Sequence, residues 1–173
     1  RRVLFRSDKE ALIELICNIK SSLYKIARIR LNSDADIEDA VQETIIEAYK
    51  NIKNLKSAHA FKSWVTKILI NKCNKIYQGN TKTNISYEEL ELDDFLVDNS
   101  TIDSKVDNDS EFYYLLNGLT YDERLAILLY YMEDYPIKEI SKMMNLNENT
   151  VKTKLKRARD KIKEKYERSD TNG

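Results

Sequence analysis

The sequence is poor in several residue types, and each scarcity excludes a class of protein. Two cysteines, Cys17 and Cys73, exclude a disulfide scaffold and favour a reducing, cytoplasmic setting. With one histidine beside them, a His/Cys metal site is hard to build, and we expect no metal and no cofactor. Three glycines and one proline in 173 residues predict long helices with few tight turns. No apolar run approaches the roughly 20 residues that span a bilayer and no signal-peptide pattern is present, so we expect no membrane insertion.

The net charge is zero, from 29 Lys and Arg against 29 Asp and Glu, but it is unevenly distributed. Residues 1–78 carry a net +6, residues 79–113 a net −8 and residues 114–173 a net +2. Within the last stretch, residues 150–168 hold nine basic and three acidic side chains. Blocks of like charge indicate segments with different tasks. A zero total therefore does not exclude nucleic acid as a partner, although the acidic stretch alone could be only a solvated linker.

Three stretches in the first half repeat apolar residues at steps of three and four, which predicts amphipathic helices over about 8–30, 35–53 and 61–77. Ser33 or Asp34 can cap the second helix, and a polar connector, Asn54–Ala60, precedes the third. Three such helices can enclose one small core. The residues predicted to face inward are Leu12, Leu15, Ile16, Ile19, Leu23, Ile26 and Ala27, then Ile37, Ala40, Val41, Thr44, Ile45, Ala48, Tyr49 and Ile52, then Phe61, Trp64, Val65, Ile68, Leu69 and Ile76.

The sequence predicts an all-α chain of two small helical domains joined by an acidic, flexible linker. We assign residues 8–78 to a bundle of three to four helices that ends near Gly79, residues 79–110 to the linker and residues 111–168 to a second helical bundle. Thr120 and Glu123 form a capping box, which opens a helix that reaches about Glu133. Its inward residues are predicted to be Leu125, Leu128, Leu129 and Met132.

The pattern with the most specific spacing lies near the carboxyl end. Pro136 fits the first position of a short helix, because its missing N–H costs nothing there. Asn145 suits a left-handed turn residue, and Asn147 can cap a basic helix from Glu148 to about Tyr166. A short helix, a three-residue turn and a basic helix have the spacing of a helix-turn-helix. The residues of the last helix predicted to face inward are Val151, Leu155, Ala158, Ile162 and Tyr166.

Three outward faces carry groups that suit macromolecular partners. The last helix presents Asn149, Lys152, Thr153, Lys156 and Arg157, side chains that reach phosphates and base edges in a major groove. The second helix presents an acidic face around one apolar residue, as a protein-docking surface does; its members are Asp39, Gln42, Glu43, Ile46 and Lys50. The third helix presents basic and amide groups that suit single-stranded DNA, namely Lys62, Ser63, Lys67, Ile70, Asn71, Asn74 and Lys75. In each case a solvated helix face is the simpler alternative.

Three motifs, taken in order, resemble one known family. Residues 36–44, DIEDAVQET, are similar to the region 2 motif of extracytoplasmic-function (ECF, group 4) sigma factors of the sigma-70 family. Residues 61–68, FKSWVTKI, resemble that family's F-x-x-W-L-x-x-I helix, and residues 150–159, TVKTKLKRAR, resemble its region 4 helix T-V-K-S-R-L-x-R-A-R. The stretch between the two units is too short for a folded region 3, which this family also lacks. Asn145 and Lys152 stand where the family usually has Gly and Arg, and Lys lacks the rigid fork with which Arg reads guanine.

The resemblance implies a partner for each face. Region 2 would dock on the β′ clamp helices of bacterial core RNA polymerase through Asp39, Gln42, Glu43 and Ile46. The connector and third helix would bind and open the promoter −10 element through Asn54, Lys56, His59, Lys62, Ser63, Lys67, Asn71, Asn74 and Lys75. Region 4 would meet the β flap and read the −35 element through Asn149, Thr150, Lys152, Thr153, Lys156 and Arg157. The resemblance also implies an anti-sigma factor that holds the chain inactive, at the membrane in some cases.

Two other classes of protein fit parts of the pattern. A stand-alone helix-turn-helix regulator would bind a symmetric operator without polymerase, and a helical interaction module would bind no specific DNA. An enzyme is not expected, because no nucleophile, base and orienting group occur at a meaningful spacing.

Overall fold

The computed structural model describes residues 9–55, 57–81 and 112–171. These residues form helices and turns with no strand, so the all-α prediction is confirmed for the described part of the chain. The helices are α1 (Lys9–Arg28), α2 (Asp34–Asn51), α3 (Phe61–Thr81), α4 (Tyr121–Ile127), α5 (Ile137–Met144) and α6 (Glu148–Thr171). The predicted linker lies outside the described residues except for 79–81, and so does the segment 1–8. No described helix has the length and apolarity needed to cross a bilayer.

Helices α1, α2 and α3 form the first unit around a shared apolar core. Ser33 caps α2 as predicted, because its hydroxyl oxygen accepts a hydrogen bond from the Asp36 N–H at 3.4 Å. Leu23, Val65 and Leu69 have no exposed surface, and the predicted inward stripe of α1 is buried or packed against the core. Burying side chains of this size contributes about 1.5–3 kcal/mol each, which offsets the entropy lost on ordering the helices.

The second unit begins with one helical turn over residues 112–115 and continues through α4, α5 and α6. The predicted capping box is present: the Thr120 hydroxyl accepts from the Glu123 N–H, and the Glu123 carboxylate accepts from the Thr120 N–H. Gly118 stands before it at φ 88°, a conformation that a side chain would disfavour. Leu116, Leu125 and the other central residues of this unit are fully buried.

The helix-turn-helix turn matches its prediction. Asn145 ends α5 in the left-handed conformation, with φ 55° and ψ 41°. The Asn147 side chain caps α6 by accepting a hydrogen bond from the Thr150 N–H at 2.8 Å. Leu146 between them is partly buried and packs against the core, which holds the two helices together.

Helix boundaries depart from prediction at several places, among them the end of α6, which reaches Thr171 rather than about Tyr166. Helix α3 continues through Gly79 to Thr81, because one glycine in a helix weakens it without ending it. Pro136 is the N-cap of α5 in an extended conformation, one position before its predicted place. The helix that begins at Tyr121 changes into a π-helical turn over Leu128–Met132, where the wider winding interrupts the 3.6-residue period.

Four side chains lie on the opposite side from their prediction. Ile70 is 3% exposed rather than outward, because α3 is covered on a second side by α5 of the second unit. Met132, predicted inward, is 41% exposed because the π-turn rotates it away from the core. Tyr49 and Tyr166 are also about half exposed, since the apolar stripes of α2 and α6 are narrower than the patterns indicated.

Candidate protein- and nucleic-acid-binding surfaces

The outward side of α2 combines polar side chains with exposed apolar ones. Asp39, Gln42 and Glu43 are exposed, and Ile46 keeps 52% of its surface accessible. Tyr49, 54% exposed, lies seven residues after Gln42 and therefore on the same face. The structure thus brings together the four residues predicted for polymerase docking. It adds Tyr49 to the apolar part of this surface, which we call the docking face.

A lysine on the neighbouring helix organises one edge of the docking face. The Lys72 ammonium of α3 lies 2.8 Å from the Glu47 carboxylate and 3.4 Å from the Glu43 carboxylate. The hydrogen bond to Glu47 raises the pKa of Lys72, with burial opposing it and the Glu43 hydrogen bond adding to it. A depression of about 400 Å³ opens here, lined by Glu43, Ile46, Glu47, Lys50, Asn51 and Lys72. Sequence reasoning missed Lys72, because a pair between two helices leaves no signal in the spacing of either.

Only some of the residues predicted to contact −10 DNA lie together on one continuous exposed surface. The connector folds into two 3₁₀ turns, Ile52–Asn54 and Ala58–Ala60, on which Asn54 and His59 are exposed. Lys56 lies outside the described residues. Along α3, an exposed row with a spacing of four runs through Lys67, Asn71 and Lys75. Ser63 and Asn74 flank that row and are half-buried.

Two members of the predicted −10 set differ from the row. The Ser63 hydroxyl donates to the Ala60 carbonyl at 3.2 Å and thereby helps to start α3. Lys62 is turned towards the second unit, where its ammonium lies 3.0 Å from the Glu133 carboxylate, although 39% of its side chain stays accessible. The structure therefore separates Lys62, which is engaged by the second unit, from the open row on the same helix.

Helix α6 presents the predicted duplex-reading side chains together. Asn149, Lys152, Thr153, Lys156 and Arg157 are all exposed. Thr150 is half-buried, and its hydroxyl donates to the Asn147 side chain at 3.0 Å, which places it in the cap. The Thr153 hydroxyl donates to the Asn149 carbonyl at 2.9 Å.

Two ion pairs hold α6 from its other side. Lys154 pairs with Asp122 and Lys161 pairs with Glu123, both at 2.8 Å. Burial alone would raise the pKa of Glu123, but hydrogen bonds from Lys161 and Thr120 outweigh it and leave the pKa lowered. Because Glu123 also completes the capping box, one carboxylate connects the start of α4 to α6. These anchors fix the direction in which the basic face of α6 points.

An arginine sandwich joins the two units. The Arg30 guanidinium lies 3.6 Å from the centre of the Tyr77 ring in the first unit and 4.2 Å from that of Tyr121 in the second. Burial is the main cause that raises the pKa of the Tyr121 hydroxyl, and it raises the pKa of the nearby Cys73 thiol to about 12. Both groups are therefore neutral at physiological pH, and Cys73 acts as a core side chain. No sequence pattern identified this contact, because its members are far apart along the chain.

Comparisons with known proteins agree with this architecture. The family description "Sigma-70 region 2" matches residues 17–83, and "Sigma-70, region 4" matches residues 110–162. The RNA polymerase sigma factor SigV of Bacillus subtilis (strain 168) is 28% identical over 159 residues, covering 88% of this chain and 89% of the relative. The ECF RNA polymerase sigma factor SigW of the same strain is 24% identical over 170 residues, covering 91% and 90%.

Solved structures share the fold. A sigma factor RpoE from Bartonella quintana, in complex with the anti-sigma factor NepR, superposes with a TM-score of 0.70 at 19% identity, covering 90% of this chain and 96% of that one. CnrH in complex with the cytosolic domain of CnrY gives a TM-score of 0.67 at 20% identity, covering 96% of both chains. The two helical units are therefore a sigma-70 region 2 and a sigma-70 region 4. The chain belongs to the ECF sigma factors of the sigma-70 family.

Proposed function

We propose that this protein is an RNA polymerase sigma factor of the ECF type, which binds core RNA polymerase, recognises the −35 and −10 promoter elements and promotes promoter opening. One observation carries the proposal. The same chain has an acidic and apolar docking face on its region 2 unit and an exposed basic helix, α6, in its region 4 unit. It acts as a non-catalytic specificity subunit in the cytoplasm, where polymerase and promoter are found.

Docking on polymerase uses the docking face. Asp39, Gln42 and Glu43 meet polar and basic groups of the β′ clamp helices, while Ile46 and Tyr49 supply apolar area. The ion pairs from Lys72 hold the carboxylate of Glu43 in place before docking, which lowers the entropy cost of binding. The region 4 unit is proposed to bind the β flap.

Promoter recognition is divided between the two units. In region 4, Asn149, Thr150 and Thr153 lie near base edges of the −35 duplex, and Lys152, Lys156 and Arg157 reach phosphates or guanine. Asparagine and threonine can exchange hydrogen bonds with base edges, whereas lysine contributes mainly charge. The register on the duplex is set by the cations and by the capped start of α6.

Opening of the −10 element is assigned to region 2. Lys67, Asn71 and Lys75 form an open row that follows a single strand, with Ser63, Asn74 and Lys62 beside it. The connector contributes Asn54, Lys56 and His59. Capturing unstacked bases offsets an unpairing cost of a few kcal/mol, and docking on polymerase supplies the remaining free energy.

Two further parts of the proposal concern the acidic stretch that joins the units and an anti-sigma factor that binds the chain. Residues 79–113 carry a net charge of −8, so the linker 79–110 can lie along the RNA path of polymerase, where negative charge imitates RNA. One structural relative was solved with the anti-sigma factor NepR and the other with the cytosolic domain of CnrY, and we expect an anti-sigma partner to hold this chain inactive.

Run-off transcription with core polymerase on a promoter library tests the proposal. Promoter-specific transcripts that depend on this chain are expected, with weak DNA binding by the chain alone. The competing function is a stand-alone helix-turn-helix regulator, which requires tight operator binding without polymerase and no stimulation of initiation. A free chain that bound one duplex strongly and specifically, with no transcripts, would establish that alternative.

A further inference from the structure

Lys62 makes an ion pair, a hydrogen bond and a contact with an aromatic ring, all with residues of the second unit. The Lys62 ammonium lies 3.0 Å from the Glu133 carboxylate, donates to the Glu133 backbone carbonyl at 3.2 Å and lies 4.8 Å from the centre of the Tyr135 ring. Beside it, the hydroxyls of Thr66 and Tyr135 are 3.0 Å apart. Thr66 is 1% exposed, Tyr135 5% and the Glu133 side chain 7%, while 39% of the Lys62 side chain stays accessible, so the contact is open to solvent on the Lys62 side.

This contact pairs the Lys62 ammonium with a negative group and an aromatic ring, the two kinds of group that single-stranded DNA also presents. Such a strand offers a negative phosphate to a cation and a flat base to its neighbours. Residues 133–135 offer a carboxylate and an aromatic ring to the same ammonium of Lys62. We propose that the segment Glu133–Tyr135 occupies the position of single-stranded DNA on α3, so that the segment and the DNA compete for Lys62. This inference rests on the proposed function of α3 in −10 binding.

The backbone of the segment is shaped to make this contact. It follows the π-helical turn Leu128–Met132, and Asp134 adopts a left-handed φ of 55°. The N–H of Glu133 donates to the Leu128 carbonyl, and the N–H of Tyr135 donates to the Leu129 carbonyl at 3.0 Å. Local π-turns and positive φ angles at residues other than glycine cluster at functional sites. Here they aim Glu133 and Tyr135 at the same helix of the first unit.

The charges in the contact distinguish it from ordinary packing between domains. The Glu133 side chain is 7% exposed, and a carboxylate buried to this extent is costly unless a cation is paired with it. When a DNA phosphate takes the Lys62 ammonium, the buried Glu133 carboxylate loses its paired cation, and this cost favours separation of the two units and hydration of Glu133. The open row Lys67, Asn71 and Lys75 does not depend on this separation. The competition is therefore specific to Lys62 and to strands that reach it.

The test uses the full chain with Glu133→Gln and Tyr135→Phe combined, which removes the charge and the hydroxyl but keeps the packing. Spin labels on the exposed Cys17 and on Lys142→Cys report the distance between the units, while the buried Cys73 stays unlabelled. Short fluorescent single-stranded DNA of random sequence is the binding probe. The double variant should broaden the distance distribution and raise the affinity of the free chain for the probe about fivefold or more. Glu164→Gln with Tyr131→Phe, at exposed sites of the same unit, should change neither.

A charge exchange adds a second readout. Lys62→Glu with Glu133→Lys restores an ion pair between the units but puts a carboxylate on α3 in place of the Lys62 cation, so it should keep the narrow distance distribution and show no gain in affinity for the probe. An unchanged distance distribution in Glu133→Gln/Tyr135→Phe overturns the inference, and so does separation of the units without a gain in affinity.

Adding core polymerase distinguishes this inference from the proposed function. If the wild type and the Glu133→Gln/Tyr135→Phe variant bind the probe equally in all conditions, the competition alone is wrong. If neither binds the probe even with polymerase present, α3 does not hold single-stranded DNA. The proposed −10 function then fails together with the inference.

Discussion

Asp39 is the residue at which the docking assignment can be tested with least disturbance to the fold. Its side chain is exposed on α2, apart from the buried stripe that includes Ile37, Ala40 and Val41. Asp39→Arg should reduce the affinity for core polymerase at least about 100-fold, because like charges facing each other across an interface cost several kcal/mol. The measurement is co-purification with core polymerase, followed by titration of a labelled chain.

Glu14→Arg is the matched control for that substitution. Glu14 is exposed on α1 of the same unit, so the variant makes the same change of net charge away from the docking face. Both variants should keep the melting temperature of the wild type. Normal co-purification of Asp39→Arg with core polymerase would remove Asp39 from the docking surface.

Lys156 tests the charge contribution of the recognition helix. It is exposed on α6 between Thr153 and Arg157. If its ammonium meets a phosphate, Lys156→Ala should weaken promoter binding by the holoenzyme on all sequences and lower the slope of log affinity against log salt by about 1. Lys163→Ala, about 10 Å further along the helix, should leave the slope unchanged. An unaltered slope in Lys156→Ala would mean that this lysine does not contact phosphate.

At the scale of an element, Glu123 connects the start of α4 to α6. Its carboxylate accepts from the Thr120 N–H at 3.0 Å and pairs with Lys161 at 2.8 Å. Glu123→Gln keeps an acceptor for Thr120 but removes the charge that faces Lys161. We expect a loss of about 1 kcal/mol in the free energy of unfolding near neutral pH, since the ammonium of Lys161 is half-exposed and screened.

The pH dependence of that loss follows from the lowered pKa of Glu123. A carboxyl whose pKa is lower in the folded than in the unfolded state stabilises the fold above its unfolded pKa, and this stabilisation disappears as the pH falls through the folded value. In urea unfolding, the wild type and Glu123→Gln should therefore differ near neutral pH and converge in acid, once the pH has fallen below the lowered pKa of Glu123. Glu164→Gln, at an exposed site of α6, should match the wild type throughout. A difference that persists in acid would mean that the carboxylate's charge is not its source.

The helices themselves were largely predictable, because each is specified by its own residues. The inward stripe of α1, the capping box at Thr120 and Glu123, and the left-handed Asn145 each depend on residues a few positions apart. The prediction was wrong where the helical period changed, or where another helix packed against a face that was predicted to be exposed. The π-turn moved Met132 outward, and packing of α5 on α3 buried Ile70.

The binding surfaces were predictable to a similar extent. Faces on a single helix follow from helical spacing. The members that are exposed as predicted are Asp39, Gln42, Glu43 and Ile46 on α2 and Asn149, Lys152, Thr153, Lys156 and Arg157 on α6, whereas Thr150 is half-buried. Groups that act across helices, such as Lys72 and Glu133, were missed. Their partners lie far away in the chain, and a single sequence carries no signal for such pairs. The roles of all these residues in polymerase and DNA binding remain predictions.

At the scale of the whole molecule, the zero net charge is the sum of two net basic parts, residues 1–78 with +6 and residues 114–173 with +2, and the acidic stretch 79–113 with −8. Strong attraction of the free chain to DNA is therefore not expected, and selectivity arises when polymerase holds both units in register. The contacts between the units add to this restraint, because they occupy Lys62 and fix the position of region 4 against region 2. The equilibrium between joined and separated units thus controls how much of the chain is ready for promoter binding.

Arg30 is the side chain through which that equilibrium can be shifted without touching a proposed DNA contact. Its guanidinium stacks between Tyr77 and Tyr121, so Arg30→Met keeps a long apolar side chain but removes the cation that both rings attract. A loss of about 1–2 kcal/mol for this desolvated contact corresponds to a roughly five- to thirtyfold larger separated population. Small-angle scattering should show a larger radius of gyration for Arg30→Met. Arg28→Met, which removes an exposed ion pair with Asp34 at the end of α1, should keep the wild-type value. Equal radii for Arg30→Met and the wild type would show that apolar packing alone holds the units together.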